Sequence, residues 1–189
     1  MKTIVLWNSD AVAAGDAPDL SVGVDSAVLR HGEPLFVDIE RPCCSLVCPA
    51  VRIDRLGTHI PPRVARSYAD AMAAYHLLMP ENAADARRAI WGLSDRTFAP
   101  GEFMPLADGA VTFTASAYAI GDKPNTSASI IFDTGTVGAA IAAVSAFCTL
   151  RTGDVLVFAD HGINVGAAKV GTFVDASVDS TPSLHLKIK

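Results

Sequence analysis

The alternation of apolar and polar residues along this chain predicts a protein built mainly from short strands. Runs of four to nine apolar residues between turn residues are typical of buried strands, and strict alternation is typical of half-buried ones. Both patterns recur along the whole sequence. They predict strands at 3–7, 45–53, 111–120, 129–132, 155–159, 171–178 and 183–188.

Three helices are predicted, two of them from apolar residues that recur at intervals of three and four. The first covers 60–79 and has two prolines in its first turn, where their missing N–H groups cost nothing. Its apolar stripe consists of Val64, Tyr68, Met72, Tyr75 and Met79. A polar helix is predicted at 81–90. The third helix, at 136–148, is rich in alanine and has its larger apolar residues on one face.

Length and composition favour one folded domain spanning residues 1–189. The chain is long enough to enclose one substantial core and too short for two ordinary domains. Half of its residues are hydrophobic and 19% are charged, which is typical of a globular protein. No internal repeat or linker interrupts the sequence. We therefore predict a single domain.

Charge and hydropathy argue against two classes of partner. The net charge is −5 and no basic cluster occurs, whereas phosphate recognition needs clustered lysine and arginine. The apolar residues before Asn8 are too few for a signal sequence. The apolar stretch at 137–147 is well short of the roughly 20 residues that a membrane span needs. We expect a soluble, cytoplasmic protein that has neither nucleic acid nor membrane as a partner.

Four cysteines are the first residues to suggest specific chemistry. Cys43, Cys44 and Cys48 form the pattern C-C-x3-C, which does not match the common zinc spacings and has no histidine nearby. In a cytoplasmic protein, such thiols are most often small buried apolar side chains. We predict that role for these three residues and for Cys148. A zinc site formed by Cys43, Cys44, Cys48 and His161 is the alternative.

The segment at 147–171 contains the most informative motif. It reads FCTLRTGDVLVFADHGINVGAAKVG, in which a helix end, a turn, a buried strand and a glycine-bearing loop follow one another. Earlier stretches read DSAVLRHGEPLFV at 25–37, VRIDRLG at 51–57 and NTS at 125–127. In their order and spacing, these motifs resemble the fumarylacetoacetate hydrolase family. The resemblance covers most of the chain.

The resemblance implies an α+β fold, namely a mixed and mainly β-sheet roll with a few helices, like the C-terminal domain of this family. Members are usually homodimers. They use a divalent metal, normally Mg2+ or Mn2+, to hydrolyse, decarboxylate or isomerise small 2-oxo or 2,4-dioxo acids. Such hard cations prefer oxygen ligands, and they stabilise the enolate or oxyanion that forms during the reaction.

The register given by these motifs leaves the family's functional residues without counterparts. Two glutamates of an E-x-E strand fall on Leu46 and Cys48, and a third ligand, an aspartate, falls on Leu77. The lysine and the aspartate of a K-x-F-D loop fall on Trp91 and Ser94. The resemblance therefore predicts that these pocket positions hold no metal ion, because hydrocarbon and sulfur replace oxygen donors.

Two further stretches complete this comparison. The early Y-x-x-H region of the family becomes Ser-Asp-Ala-Val at 9–12, and the T-G-T-P of the final loop becomes Ala-Asp-His-Gly at 159–162. Asp160 and His161 are therefore the candidate catalytic residues, and His161 is also a pocket position. The alternative is that both residues only make local turn hydrogen bonds. His76 and Glu81 could supply a metal ligand only if the register slips.

Two functions are consistent with this pattern. The first is a divergent family member that keeps the fold and the dimer, lacks the metal-dependent activity, and binds a small organic acid or another protein, or has a structural role. The alternative is a hydrolase, decarboxylase or isomerase of a small 2-oxo or 2,4-dioxo acid with altered catalytic residues. That enzyme would use Asp160, His161 and Cys48.

Overall fold

Strands dominate the computed structural model, which describes residues 1–30, 32–38, 40–81, 95–122 and 127–189. Within these residues, twelve strands form two β-sheets. The strands are β1 Thr3–Leu6, β2 Leu20–Gly23, β3 Cys43–Ile53, β4 Ala69–Pro80, β5 Phe98–Pro100, β6 Met104–Pro105, β7 Ala110–Ala119, β8 Ser127–Asp133, β9 Val155–Phe158, β10 Ile163–Ala167, β11 Thr172–Val178 and β12 Thr181–Lys187. The α-helices are α1 Ser9–Ala13, α2 Pro62–Ala65 and α3 Thr136–Ser145.

The larger sheet determines where the candidate site lies. Its strand order is β2-β1-β9-β3-β4-β5, with β10 also paired to β3 and β6 to β4. Strands β1 and β9 run parallel, so that Leu6 lies beside Phe158 at their C-terminal ends. The segments that follow these two strands therefore start from the same edge of the sheet.

The smaller sheet is antiparallel and has the order β12-β11-β7-β8. Its inner face contributes Phe113, Phe132 and Val174 to a core that also includes one face of the larger sheet and the apolar side of α3. We call this the main core. The alternation of buried and exposed residues along β7 and β11 agrees with the alternation in the sequence.

The central strands of the larger sheet are buried on both faces. On β4, Met72 and Leu78 belong to the main core, whereas Leu77 belongs to a separate group on the opposite face. We call this group the second apolar cluster. Its buried members are Val5, Ala27, Cys48, Ala50, Tyr75, Leu77, Met79, Phe98, Val155, Val157 and Ala159.

The predicted α+β class, mainly strands with a few helices, is confirmed. A strand is present at each of the seven predicted segments, and α3 begins at the predicted Thr136. The single domain stays a prediction. Among the described residues, no helix has both the length and the apolar character that crossing a bilayer requires.

The helix predicted at 60–79 is wrong over most of its length. Helix α2 covers only Pro62–Ala65, and Ala69–Pro80 is strand β4. Because both faces of β4 are buried, nearly every position is apolar and the period of two disappears from the sequence. The helical spacing of the aromatic residues and methionines is then a coincidence. The polar helix predicted at 81–90 lies, apart from Glu81, outside the described residues.

Candidate functional site

Strands β3 and β4 bring three of the predicted pocket positions together. Leu46 lies directly opposite Leu77, and Cys48 lies opposite Tyr75. Because alternate residues of a strand face the same side of a sheet, Leu46 and Cys48 share a face. All three positions therefore lie at the second apolar cluster. We refer to Leu46, Cys48 and Leu77 as the strand positions.

Hydrocarbon and sulfur fill the strand positions. Cys48 and Leu77 are fully buried, and Leu46 is half-buried against the same cluster. The hydroxyl of Tyr75 is already paired, since it lies 2.8 Å from Thr3 Oγ1. None of the three side chains at the strand positions carries an oxygen, and Mg2+ and Mn2+ need oxygen ligands. A metal ion of the family's kind therefore does not fit there.

The Cys48 thiol is not suited to catalysis or metal binding. Burial, followed by the nearby negative charge of Asp160, raises its pKa. The nucleophilic and metal-binding form of cysteine is the thiolate, which this environment disfavours. Cys48 and Cys43 are buried as predicted, whereas Cys44 and Cys148 are partly exposed.

The zinc site considered as an alternative is not assembled. Cys43 and Cys44 are consecutive in β3, so that their side chains face opposite sides of the sheet. Cys48 lies four residues farther along the same strand, a distance of about 13 Å. One ion cannot contact sulfur atoms that are so far apart. The hypothesis of a zinc site from these cysteines and His161 is therefore wrong.

A slip in register does not provide a ligand from His76 either. His76 lies opposite Val47, on the face of β4 that belongs to the main core. It is fully buried, and burial lowers its pKa to about 3. Within the described part of the chain, neither ring nitrogen has a hydrogen-bond partner. The remaining pocket positions, Trp91 and Ser94, lie outside the described residues.

The loop after β9 contains both predicted catalytic candidates. Strand β9 ends at Phe158, a 3-10 turn covers Ala159–His161, and β10 begins at Ile163. This loop packs closely on β3. A Cβ atom built on Gly162 would lie only 2.6 Å from Leu46 Cγ, which leaves no room for a side chain there. A residue larger than glycine would force the loop away from the strand. The positions of Asp160 and His161 are therefore tied to the sheet.

Helix α1, which follows β1, provides partners for both candidates. Ser9 Oγ is within hydrogen-bond distance of both carboxylate oxygens of Asp160, at 3.0 and 2.8 Å, and donates to them. His161 Nε2 lies 3.1 Å from Asp10 Oδ1. The His161 ring packs edge-on against Phe132, with 5.5 Å between the ring centroids. These contacts extend beyond local turn hydrogen bonds, because the partners come from a distant part of the chain.

We call Asp10, Asp160 and His161 the loop cluster. One ligand atom of each residue lies within 4.8 Å of those of the other two. The His161 side chain is 21% exposed and that of Asp10 is 74% exposed, so the cluster opens to solvent. Within the described residues, no lysine or arginine forms an ion pair with either carboxylate. The cluster thus combines two carboxylates without a cationic partner and one imidazole.

Sequence reasoning misses Asp10. In the sequence, segment 9–12 is notable only because it has no histidine where the family has one. A better signal is that polar residues follow directly after two apolar strands, β1 and β9. That signal becomes useful only once the two strands are known to be parallel neighbours, because parallel strands end at the same edge.

No protein-family model and no curated protein matches this chain. Solved structures do match, at low sequence identity. The 5-carboxymethyl-2-hydroxymuconate delta-isomerase from Mycobacterium smegmatis has a TM-score of 0.74 and 15% identity, over 99% of this chain and 76% of its own. The fumarylpyruvate hydrolase from Pseudomonas aeruginosa, in complex with Mn2+ and pyruvate, has a TM-score of 0.74 and 14% identity, over 100% and 89%.

A structure from Yersinia pestis CO92 that is described as a fumarylacetoacetate hydrolase family protein also matches. Its TM-score is 0.74 and its identity 11%, over 100% of this chain and 93% of its own. This chain therefore has the fumarylacetoacetate hydrolase fold, and the resemblance seen in the sequence is confirmed at the level of the fold. Because one fold supports many functions, the function has to be argued from the site.

Proposed function

We propose that this protein is a divergent fumarylacetoacetate hydrolase-fold protein that lacks the family's metal-dependent activity and acts as a binding or structural module. The observation that supports this proposal best is the presence of Leu46, Cys48 and Leu77, where the family resemblance expects carboxylates, in a buried apolar cluster. Without oxygen donors at these positions, a hard cation has no ligands to replace its bound water.

The energetic cost of a metal ion at the strand positions is large. Moving even a singly charged ion into apolar surroundings without compensating partners costs on the order of tens of kcal/mol. The strand positions offer no compensation, because Cys48 and Leu77 are fully buried among hydrocarbon side chains. Stabilisation of an enolate or oxyanion by a metal is therefore lost at this face of the sheet.

Turnover of fumarylpyruvate, the substrate named for the Pseudomonas aeruginosa neighbour, tests this proposal directly. We expect no hydrolysis above the buffer rate with Mg2+ or Mn2+, whereas the neighbour serves as the positive control. Calorimetric titration with Mg2+ should give no saturable heat. Hydrolysis that depends on metal and saturates with substrate would refute the proposal.

A cavity at the start of β3 supports the binding of a small organic acid. Its volume is about 390 Å³, and its charged lining residues are the cationic Arg41 and Lys169 and the anionic Asp38 and Glu81. Arg41 is paired with Asp38, with 3.6 Å between Nε and Oδ2. Lys169 has no ion pair within the described residues, so its ammonium group is available to a carboxylate.

Pyruvate is a suitable probe for this cavity, because it is a small 2-oxo acid. We expect millimolar affinity by NMR titration, and Lys169→Ala should weaken it about tenfold, which corresponds to the loss of one charged contact. Lys189→Ala, at the exposed C-terminal residue, is the matched control. Equal affinities for both variants would exclude the cavity as the binding site.

The contact between Asp10 and His161 favours a second candidate function, an enzyme that acts on a small 2-oxo or 2,4-dioxo acid through altered residues. A carboxylate that accepts a hydrogen bond from one ring nitrogen orients the imidazole and leaves the other nitrogen available for proton transfer. Cys48 is poorly suited to take part, because its thiol is fully buried and burial raises its pKa. His161→Ala should abolish such turnover without lowering the melting temperature. Unchanged turnover would exclude this candidate.

We also propose a homodimer in the cytoplasm, as the family resemblance implies. Size-exclusion chromatography with light scattering should give twice the chain mass of 19.7 kDa. A mass that stays at the monomer value across the micromolar range would contradict the dimer.

A further inference from the structure

We propose that the loop cluster binds one divalent transition-metal ion of the zinc class, with Asp10, Asp160 and His161 as its ligands. The ion would lie between the segments that follow β1 and β9, not at the strand positions. This site goes beyond the proposed function, which neither requires the ion nor depends on it.

The interatomic distances suit a single ion. Zinc lies about 2.0 to 2.2 Å from nitrogen and oxygen ligands, so the ligand atoms of a tetrahedral site are about 3.0 to 3.6 Å apart. His161 Nε2 and Asp10 Oδ1 are 3.1 Å apart, within the range for neighbouring ligands. The three ligand atoms all lie within 4.8 Å of one another. Separations at the upper end of this range exceed those of tetrahedral ligands, so the side chains have to move closer together when the ion binds.

Electrostatics favours a cation at the loop cluster. A carboxylate oxygen of Asp10 lies within 4.8 Å of one of Asp160, and the backbone N–H of Asp10 donates a hydrogen bond to Asp160 Oδ2, with 3.4 Å between nitrogen and oxygen. In the described part of the chain, neither carboxylate has a lysine or arginine partner. Two neighbouring negative charges repel each other, and a dication would remove that repulsion and use oxygen atoms that already converge.

Two other residues hold the ligands in place before a metal arrives. Ser9, which is 1% exposed, donates its hydroxyl hydrogen bond to Asp160. Phe132, in the main core, packs against the His161 ring. Groups that orient ligating carboxylates and imidazoles contribute strongly to metal affinity. The sheet edge thus supplies both the ligands and their support.

The donor types determine which ions fit. An imidazole together with two carboxylates suits zinc and similar transition metals, whereas Mg2+ strongly prefers oxygen ligands and retains several waters. Three protein ligands leave a tetrahedral zinc ion with one position for water.

Calorimetric titration of the metal-free protein with Zn2+ tests the inference. We expect saturable binding of one ion per chain with micromolar or lower Kd. Asp10→Asn and His161→Gln should each weaken it at least tenfold, because removing even a supporting residue costs about tenfold or more. Asp175→Asn is the matched control. It alters a second aspartate–histidine contact, in which Asp175 Oδ1 lies 2.6 Å from His185 Nδ1 on the smaller sheet.

Two outcomes would overturn the inference. One is the absence of saturable Zn2+ binding by the wild-type protein. The other is binding that Asp10→Asn and His161→Gln leave unchanged, which would assign the ion to another part of the protein. Absorption spectra of the Co2+-loaded protein provide an independent measurement, because thiolate ligands give charge-transfer bands that carboxylates and imidazole do not. Turnover of fumarylpyruvate tests the proposed function separately, so the zinc site and the proposed function can each be refuted without the other.

Discussion

The strand positions and the loop cluster are neighbours in space and opposite in character. Leu46 contacts the loop at Gly162, and the charge of Asp160 reaches Cys48. Yet the strand positions are packed in hydrocarbon, whereas the loop cluster is charged and open to solvent. The difference teaches that a fold can bury one face of a sheet completely while the loops at its edge still bring polar groups together.

The two ends of β9 make the same point with two carboxylates. Asp154, just before β9, is 2% exposed and accepts hydrogen bonds from Lys2 Nζ and from the backbone N–H groups of Lys2 and Arg151. Burial alone would raise its pKa, but these hydrogen bonds lower it overall. Asp160, after β9, has no such cation. A buried and fully paired carboxylate stabilises the fold, whereas an exposed one without a cation remains available to a ligand.

The largest predicted effect concerns the packing of the strand positions. Leu77→Ala should lower the free energy of unfolding by about 3 kcal/mol, because it removes a fully buried side chain and leaves a cavity. Leu56→Ala, at a residue that is 68% exposed, is the control and should change it by less than about 0.5 kcal/mol. Urea denaturation measures both. A small loss for Leu77→Ala would mean that this face of the sheet is not a packed core.

The next largest effect is a loss of stability at low pH, caused by His76 on the main-core face of β4. Burial lowers the pKa of His76 to about 3, so below about pH 6.5 only the unfolded chain takes up this proton. The contribution to stability is complete above that pH and is lost as the pH falls toward 3. At pH 5 the loss should be roughly 2 kcal/mol. His76→Leu should show a flatter decline between pH 7 and pH 5, and an equal decline would contradict burial of a neutral imidazole.

Part of the fold could be predicted from the sequence because several strands are half-buried, and the short buried strands β1 and β9 could be predicted from apolar runs that turn residues bound. Strands β7, β11 and β12 keep a period of two, since one face packs on the main core and the other meets solvent. Strand β4 could not be predicted in this way. Its two faces belong to different cores, so the sequence shows one continuous apolar run that resembles a helical stripe.

The candidate site, like the fold, could be predicted only in part from the sequence. The motif register identifies Leu46, Cys48 and Leu77, and strand pairing places them side by side. Asp160 and His161 stand out because they lie where the family resemblance predicts the loop sequence T-G-T-P. Asp10 does not stand out, because its relevance depends on the parallel pairing of strands that are about 150 residues apart in sequence. Long-range pairing of this kind leaves no local pattern.

A smaller effect concerns the paired hydroxyls at the edge of the second apolar cluster. Tyr75→Phe should cost about 1 kcal/mol, because Thr3, which is fully buried, loses its partner at 2.8 Å. Adding Thr3→Val should cost less than the sum of the two single changes, since both partners are then removed. Thermal denaturation of the four proteins in this cycle measures the coupling. Additive losses would show that the two hydroxyls do not interact.

The smallest stability effect is expected at Asp10, where the comparison between the two regions is sharpest. Asp10→Asn should change the free energy of unfolding by less than about 0.5 kcal/mol without metal, because its side chain is 74% exposed. With Zn2+ at 100 times its Kd, the wild-type protein should gain about 2.7 kcal/mol, and the variant should gain much less. Urea denaturation with and without Zn2+ measures both. Equal gains would mean that Asp10 is not a ligand, whereas a large loss without metal would mean that the loop cluster, like the strand positions, is part of the folded core.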